Sequence, residues 1–166
     1  MGSCGIHDDV ETAGGGRIVL VADSVIFRGQ GKKLDADARP YEGFTAASYS
    51  LEGGSGGYIY VATFNRVNEN ELGRNRDTIT ARGGLGIGKY GGGSGGVVVF
   101  DDNFYISAYQ VQVNGGKAEA DPYLDGCMNG GSGTLYYRKN NTLALNNHEM
   151  PSTAFTIVKV PEDEQH

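Results

Sequence analysis

The sequence is poor in the residues that mark several protein classes. Among its 166 residues there is no tryptophan, and there are only 4 prolines and 2 cysteines. The scarcity of proline and the lack of a glycine at every third position exclude collagen. Two cysteines are too few for a disulfide scaffold. Cys4 and Cys127 could form one bridge within the chain, pair with other chains or stay free, and the residues leave these alternatives open.

Long apolar runs and an excess of basic residues are also missing. No run approaches the roughly 20 apolar residues of a membrane-spanning helix, so we expect no membrane insertion. The formal net charge is -6, which argues against a nucleic-acid ligand because such proteins normally present a basic face. Met1 leads into polar sequence without a signal peptide. The chain is therefore expected to be cytosolic or a piece of something longer.

Glycine is the residue that the sequence has in excess. There are 28 glycines, more than double the usual share of roughly 7%. Short runs of β-formers interrupt them, which argues against a flexible linker. Four glycine-rich segments are each followed by such a run, and aligning Gly15, Ser55, Ser94 and Ser132 gives spacings of 40, 39 and 38 residues. A near-constant period of this size indicates stacked supersecondary units.

A second apolar stretch follows in each unit, and its alternating residues point to one side. We expect two internal ladders. They are Val25, Ile79, Val111 and Leu143, and Phe27, Ala81, Val113 and Leu145. The stretches end in Gly29, Gly83, Gly115 and Asn147. Glycine and asparagine tolerate positive φ, so left-handed turns are expected there. For the first strand, the pattern does not decide between Val19, Ile59 and Val98 and the set Ile18, Tyr58 and Val97 as the inward residues.

These patterns predict an all-β fold, a single-stranded parallel β-helix (solenoid) of about four coils with glycine-rich corners. At those corners glycine lets one backbone approach another closely. The alternative fold is a β-sandwich, which would show turn signals about every 8–12 residues without the repeat of 38–40 residues. We divide the chain into an N-terminal extension at 1–13, the four-unit β-helix at 14–149, and a C-terminal strand or cap with an acidic tail at 150–166.

The repeat resembles the glycine-rich β-helix repeats of large extracellular or surface proteins of plants, oomycetes, protists and bacteria. Those repeats have Gly-Gly-Ser-Gly-Gly, a strand, a spacer, a second strand and Gly-Gly. Residues 53–57 with 79–84, and 92–96 with 111–116, match best, and 126–137 is similar to a closing Gly-Gly-x-Gly-Thr element. The resemblance covers roughly residues 13–147. It implies an extracellular or cell-surface module that is mostly structural or adhesive.

We therefore expect a non-enzymatic structural or adhesive module of an extracellular assembly, such as a filament or surface-appendage subunit. It would need no cofactor, and its partners would be copies of itself or adjoining modules. The alternative is a carbohydrate-active β-helix, a lyase or hydrolase, with its site near Asp101, Asp102 and Asp121. A carbohydrate-binding domain is a further form of that alternative.

Several residues are candidates for binding or modification. Tyr58, Tyr60, Tyr105, Tyr136 and Tyr137 form the expected binding or assembly face, since aromatic residues favour interfaces and stack on sugar rings.

The remaining candidates lie in loops. Asp121 and Asp125 are candidate calcium ligands because calcium takes carboxylate oxygens, although the EF-hand spacing is absent. Asn140 begins an Asn-Asn-Thr glycosylation triplet. The histidines and cysteines show no zinc-site spacing.

Overall fold

The structure, a computed structural model, describes residues 5–7, 10–25, 33–39, 52–64, 78–88, 90–102, 111–120, 128–139 and 141–147. These residues contain twelve strands. The strands are β1 (Gly5–His7), β2 (Val10–Thr12), β3 (Arg17–Ala22), β4 (Lys33–Asp35), β5 (Tyr58–Thr63), β6 (Thr78–Thr80), β7 (Gly86–Gly88), β8 (Val97–Asp102), β9 (Val111–Gln112), β10 (Ala118–Ala120), β11 (Gly133–Tyr137) and β12 (Thr142–Asn146).

The strands form two main sheets and two isolated pairs. The larger sheet has the order β12-β11-β8-β5-β3, and the smaller has the order β4-β6-β9. β3, β5, β8 and β11 are parallel, whereas β12 runs antiparallel to β11. The three-stranded sheet is parallel throughout. β7 pairs with β10 in parallel, and β1 pairs with β2 in antiparallel fashion.

The all-β content agrees with the prediction, but the single-stranded parallel β-helix of about four coils is wrong. The sheets mix parallel and antiparallel pairs, and the described strands do not close into a solenoid. The departure is clearest after β11, where only residues 138–141 connect it to β12. A connection of this length makes a hairpin, so β12 returns along the same sheet. Asn141 has a φ of 46° in this turn, and its amide donates to the Arg138 carbonyl over 3.1 Å.

The predicted second-strand ladder is right in its middle and wrong at its ends. Ile79 pairs with Val111 as expected, but the residue beside Ile79 on the other side is Leu34 of β4 rather than Val25. Leu143 and Leu145 lie in β12, where they are 38% and 48% exposed rather than internal. The second ladder likewise keeps Ala81 and Val113 in the core, while Phe27 lies outside the described residues.

The inward face of the five-stranded sheet combines the two sets that the pattern left open, with Ile59 and Val98 from one and Ile18 from the other. The register pairs Ile18 with Ile59, Ile59 with Val98, and Val98 with Leu135. Arg17 therefore lies beside Tyr58, one residue away from the alignment of Gly15 with Ser55. The reason is that the glycine segments differ in length before each strand, and the backbone pairing follows the strand.

Both sheets contribute to one hydrophobic core. Ile59, Val61, Val98 and Phe100 of the larger sheet and Ile79 and Val111 of the smaller are at most 2% exposed and belong to the same cluster. The inward residues become smaller along β4 and β6, from Leu34 and Ile79 to Ala36 and Ala81, whereas β9 has valine at 111 and is followed by valine at 113. The two sheets consequently converge toward one end.

At the converging end the backbones themselves are in contact. We call this region the glycine seam. It is made of residues 53–57 and 92–96 before β5 and β8, residues 130–133 at the start of β11, and residues 83–84 and 115–116 after β6 and β9. The Gly57 amide donates to the Ala36 carbonyl over 2.8 Å, and the Gly96 amide donates to the Ala81 carbonyl over 2.7 Å. In this region, hydrogen bonds between the backbones of the two sheets therefore take the place of side-chain packing.

A chain of hydrogen bonds crosses the glycine seam from one sheet to the other. The amides of Gly130, Gly116, Gly93 and Gly84 donate in turn to the carbonyls of Gly116, Gly93, Gly84 and Gly54. The four N···O distances lie between 2.7 and 3.0 Å. Satisfied backbone groups are what a buried segment requires, and this pairing explains how a glycine-rich region can be an ordered part of the fold.

The seam also corrects the expected role of the turn glycines. Neither Gly83 nor Gly115 has φ in the left-handed region, and Asn147 has no positive φ either. Gly29 lies outside the described residues. The requirement at Gly83 and Gly115 is space, because an added Cβ would overlap the carbonyl oxygens of Gly93 and Gly130. Glycine occurs where another backbone approaches closely, as expected for the corners.

We predict that Gly93→Ala destabilises the protein strongly while Gly16→Ala does not. A Cβ at Gly93 would overlap the Gly54 carbonyl, whereas one at Gly16 meets no atom within 4 Å. Overpacking typically costs about 1–3 kcal/mol and occasionally more. An unstrained glycine-to-alanine change adds about 0.4–1 kcal/mol by restricting the unfolded chain.

Urea unfolding of the two variants measures this difference directly. Gly16→Ala is the matched control because it adds the same methyl group just before β3. Equal unfolding midpoints for the two variants would contradict the close approach of the Gly93 and Gly54 backbones.

Candidate functional site

The candidate site is the outer face of the five-stranded sheet, which we call the tyrosine face. Strand alternation directs Tyr58 and Tyr60 of β5 outward, because Ile59 and Val61 between and beyond them are fully buried. The register places Tyr60 beside Val99 and Val99 beside Tyr136. Three of the five predicted tyrosines therefore share one face of one sheet.

The other two predicted tyrosines are not part of this face as described. Tyr137 packs against the core, with its ring stacked on Phe100 at a centroid distance of 5.4 Å. Its neighbour Tyr136 takes the outward position because successive side chains of a strand point to opposite sides. Tyr105 lies outside the described residues.

Tyr60 takes part in a polar network on the face. Its hydroxyl donates to the Asp101 carboxylate over 2.6 Å, and an Arg138 guanidinium nitrogen donates to the same carboxylate oxygen over 2.8 Å. The hydrogen bond to Asp101 raises the pKa of Tyr60, because ionising the phenol would place a second negative charge beside the carboxylate. The charge of Asp101 also raises the pKa of Arg138.

The remaining outward tyrosines are also held in place. The Tyr136 hydroxyl donates to the side-chain oxygen of Asn141 over 3.0 Å. The Arg17 guanidinium lies over the Tyr58 ring, 5.6 Å from its centroid, a cation–π arrangement. The aromatic rings of the tyrosine face are thus fixed by contacts with their own sheet and its turn.

Large apolar side chains flank these rings. Val19 and Val21 of β3 are 48% and 59% exposed, Val97 of β8 is 36% exposed, and Leu143 and Leu145 lie on β12 at the other side of the sheet. Single exposed apolar residues are ordinary, and the grouping of several on one sheet face is the reason that this face is the candidate site.

A second polar cluster lies on the three-stranded sheet and was not anticipated. The Asp37 carboxylate accepts hydrogen bonds from the Arg82 backbone amide and guanidinium and from Lys33, at 2.7–2.9 Å. Although partial burial acts in the opposite direction, the hydrogen bonds from Arg82 and Lys33 lower the pKa of Asp37. Charged and small residues alternate in 33–39, which places Lys33, Asp35 and Asp37 on one face. This alternation indicates the cluster at the level of sequence.

This cluster borders an open groove of about 1160 Å³ that reaches the glycine seam. Lys33, Arg39, Arg82 and Lys117 lie along it together with Asp35 and Asp37. Lys33 and Arg82 are both engaged by Asp37. The pair of Arg82 with Asp37 joins the segment after β4 to the segment after β6, and the pair of Lys33 with Asp37 holds that carboxylate in place. The arrangement is that of a structural clamp on the smaller sheet.

The other candidate residues are placed only in part. Asp101 belongs to the Tyr60 network, and Asp102 is the last residue of β8, where its backbone pairs with Thr63 of β5. Asp121, Asp125, Asn140, Cys4 and Cys127 lie outside the described residues. Within the described ranges, no group of three histidine, cysteine, aspartate or glutamate side chains could hold a metal ion.

Comparison with known proteins adds no relative. No family model matches the chain, and comparisons with curated proteins and with solved structures find no match. Among the residues that the structure places, none forms a helix that is long and apolar enough to cross a membrane. The functional argument therefore depends on the geometry of the tyrosine face.

We predict that Asp101→Asn lowers the pKa of Tyr60 toward its ordinary value of 10.0. The amide keeps the shape of the carboxylate but removes the negative charge that opposes tyrosinate formation. A raised folded-state pKa contributes stability below the unfolded value, and this contribution is lost as the pH rises through the folded value. The stability that the native protein gains from Asp101 should therefore decline above pH 10.

The absorbance of tyrosinate during an alkaline titration reports the effect. Subtracting the titration of a Tyr60→Phe variant isolates the signal of Tyr60 in each background. An identical Tyr60 titration with aspartate and with asparagine at position 101 would exclude the network.

Proposed function

We propose that the protein is a non-enzymatic structural or adhesive module of an extracellular assembly, which makes its contacts through the tyrosine face. The observation that carries this proposal is the set of three tyrosines and flanking exposed valines and leucines on one side of one sheet. Aromatic residues supply large contact areas at interfaces. The extracellular location rests on the resemblance of the glycine-rich repeat.

The polar groups of the face support a contact role. The Tyr60 hydroxyl is engaged by Asp101, the Asp101 carboxylate by Arg138, and the Tyr136 hydroxyl by Asn141. Rings that are already fixed lose little side-chain entropy on binding, which favours association. The face thus offers apolar area whose polar groups keep their hydrogen bonds when water is excluded.

Carbohydrate binding is the second candidate, and one feature favours it. Asp101 lies on the strand next to Tyr60 and pairs with Ala62, two residues further along β5. A hydroxyl that reaches this carboxylate requires the Tyr60 ring to lie along the sheet. Tyr60 and Tyr136 are two strands apart, roughly 9.6 Å across the sheet. Rings in such an array can stack on successive sugar units.

Adsorption measurements with a quartz crystal microbalance test the contact role. We expect the chain to adsorb to a hydrophobic monolayer, and Val99→Lys to weaken adsorption about tenfold, which corresponds to about 1.4 kcal/mol. Lysine at position 99 places a charge between Tyr60 and Tyr136. Thr78→Lys is the matched control, because it adds the same charge on β6 of the other sheet.

Two results would contradict the proposal. Equal adsorption of the Val99→Lys and Thr78→Lys variants would show that the tyrosine face makes no contact. Release of new reducing ends from a panel of polysaccharides would show an enzyme. Binding to cellulose or chitin films that is lost in Tyr60→Ala or Tyr136→Ala, without turnover, would favour the carbohydrate-binding candidate instead.

A further inference from the structure

The exposed apolar residues are concentrated on the two outer strands of the five-stranded sheet. Seven large hydrophobic residues in the described ranges are exposed, and four of them are Val19 and Val21 of β3 and Leu143 and Leu145 of β12. The other three are Phe64, Val97 and Met128. An exposed sheet edge is a template for pairing with another chain, and exposed apolar side chains beside it add contact area.

Within the described residues, β3 has a strand partner on one side only, and the direction of its other backbone groups is known. Among the described strands β3 pairs only with β5. The carbonyls of Gly16 and Ala22 accept bonds from the Tyr58 and Phe64 amides. Because successive residues of a strand direct their backbone groups to opposite sides, those of Arg17, Val19 and Val21 point away from β5.

Three of the features that normally prevent strands from pairing are missing from the described residues of this edge. Natural edges are blunted by proline, by inward-pointing charges or by bulges. The strand Arg17–Ala22 contains no proline, and its inward residues are Ile18, Leu20 and Ala22. Its six residues form an unbroken ladder with β5.

The order of residues from Arg17 to Asp23, which comprises β3 and the residue that follows it, is complementary to itself when reversed. Leu20 is the centre, with Val19 and Val21 on either side of it, Ile18 and Ala22 next, and Arg17 and Asp23 outermost. Arg17 and Asp23 are both exposed. An antiparallel copy of the same segment would place Val19 beside Val21 and each Arg17 beside the other copy's Asp23.

We propose that two copies of the chain associate through β3, antiparallel and centred on Leu20. This register is consistent with the direction of the free backbone groups, since it pairs odd-numbered residues with odd-numbered residues. Opposite charges directly across a strand pair are favourable, and like charges are not. Several antiparallel registers pair odd-numbered residues with each other. Among them, the register centred on Leu20 is the one that places Arg17 opposite Asp23.

The resulting dimer is closed and symmetric. A two-fold axis at Leu20 uses the same surface on both copies, which is the commonest arrangement of soluble oligomers. The two five-stranded sheets join through their β3 strands, and the tyrosine faces lie on the same side of the joined sheet. Doubling a contact surface increases its avidity. The purpose of the dimer therefore rests on the proposed function, whereas its formation is tested by a separate measurement.

Charge-exchange variants test the register. Arg17→Asp gives a chain with aspartate at both positions, and Asp23→Arg gives a chain with arginine at both. We expect the native chain to sediment as a dimer and each variant alone to associate at least about tenfold more weakly, which corresponds to about 1.4 kcal/mol. An equimolar mixture of the two variants should recover the dimer, because both outer pairs again join opposite charges.

Val97→Lys is the matched control, since it changes the same sheet face at a central strand. It should leave the dimer unchanged. Circular dichroism of each variant checks that these exposed substitutions leave the fold intact. If a charge variant fails to fold, disulfide formation replaces it: Val19→Cys and Val21→Cys chains, with Cys4 and Cys127 replaced by serine, should crosslink when mixed and not separately.

Several outcomes would overturn the dimer. The native chain could stay monomeric at high concentration, or Arg17→Asp could leave its association unchanged. The mixture of the two charge variants could fail to recover the dimer. Finally, the chain could form an open series of larger species, which pairing of β3 with β12 would produce. None of these bears on the adsorption of the Val99→Lys variant, so the dimer and the contact role can fail independently.

Discussion

Backbone hydrogen bonding between the two sheets at the glycine seam is the constraint on which the rest of the structure depends. The sheets converge until the amides of Gly57 and Gly96 reach the carbonyls of Ala36 and Ala81, and no side chain fits between them. Converging sheets leave a wedge-shaped interior, so small residues lie near the seam while Phe100 fills the wider part. Replacing side-chain packing by backbone pairing works only if the backbone groups are satisfied, because a buried unpaired amide or carbonyl costs about 1–3 kcal/mol.

The seam also determines which residues reach the outer face. Once the glycines before β5, β8 and β11 are fixed, alternation directs Ile59, Val98 and Leu135 inward. Their neighbours along each strand must then point outward. The position of Tyr60 and Tyr136 on one face is therefore a consequence of the same spacing that builds the core. Asp101 and Arg138 complete the face from the far ends of β8 and β11.

Much of this organisation was predictable from the sequence, and the exceptions have physical causes. The period of about 39 residues correctly indicated parallel pairing of β5 with β8, and alternation correctly placed Ile79 beside Val111. The closed solenoid was wrong because a four-residue connection turns β12 back on β11. The prediction of positive φ at Gly83 was wrong because two different requirements select glycine, a left-handed backbone and lack of space for a side chain. A sequence does not distinguish them. The Tyr60 network joins residues of β5, β8 and the turn after β11. It depends on strand register, so no local sequence pattern predicts it.

Hydrogen exchange of the backbone amides tests the central claim most directly. The amides of Gly84, Gly93, Gly116 and Gly130 donate along the chain of hydrogen bonds that crosses the seam. Amides that open only with global unfolding exchange most slowly. The account predicts that these four glycine amides exchange as slowly as those of Val98 and Val61 in the core strands. Rapid exchange of the glycine amides together with protected core strands would show that the sheets are held by side-chain packing alone and would contradict the account.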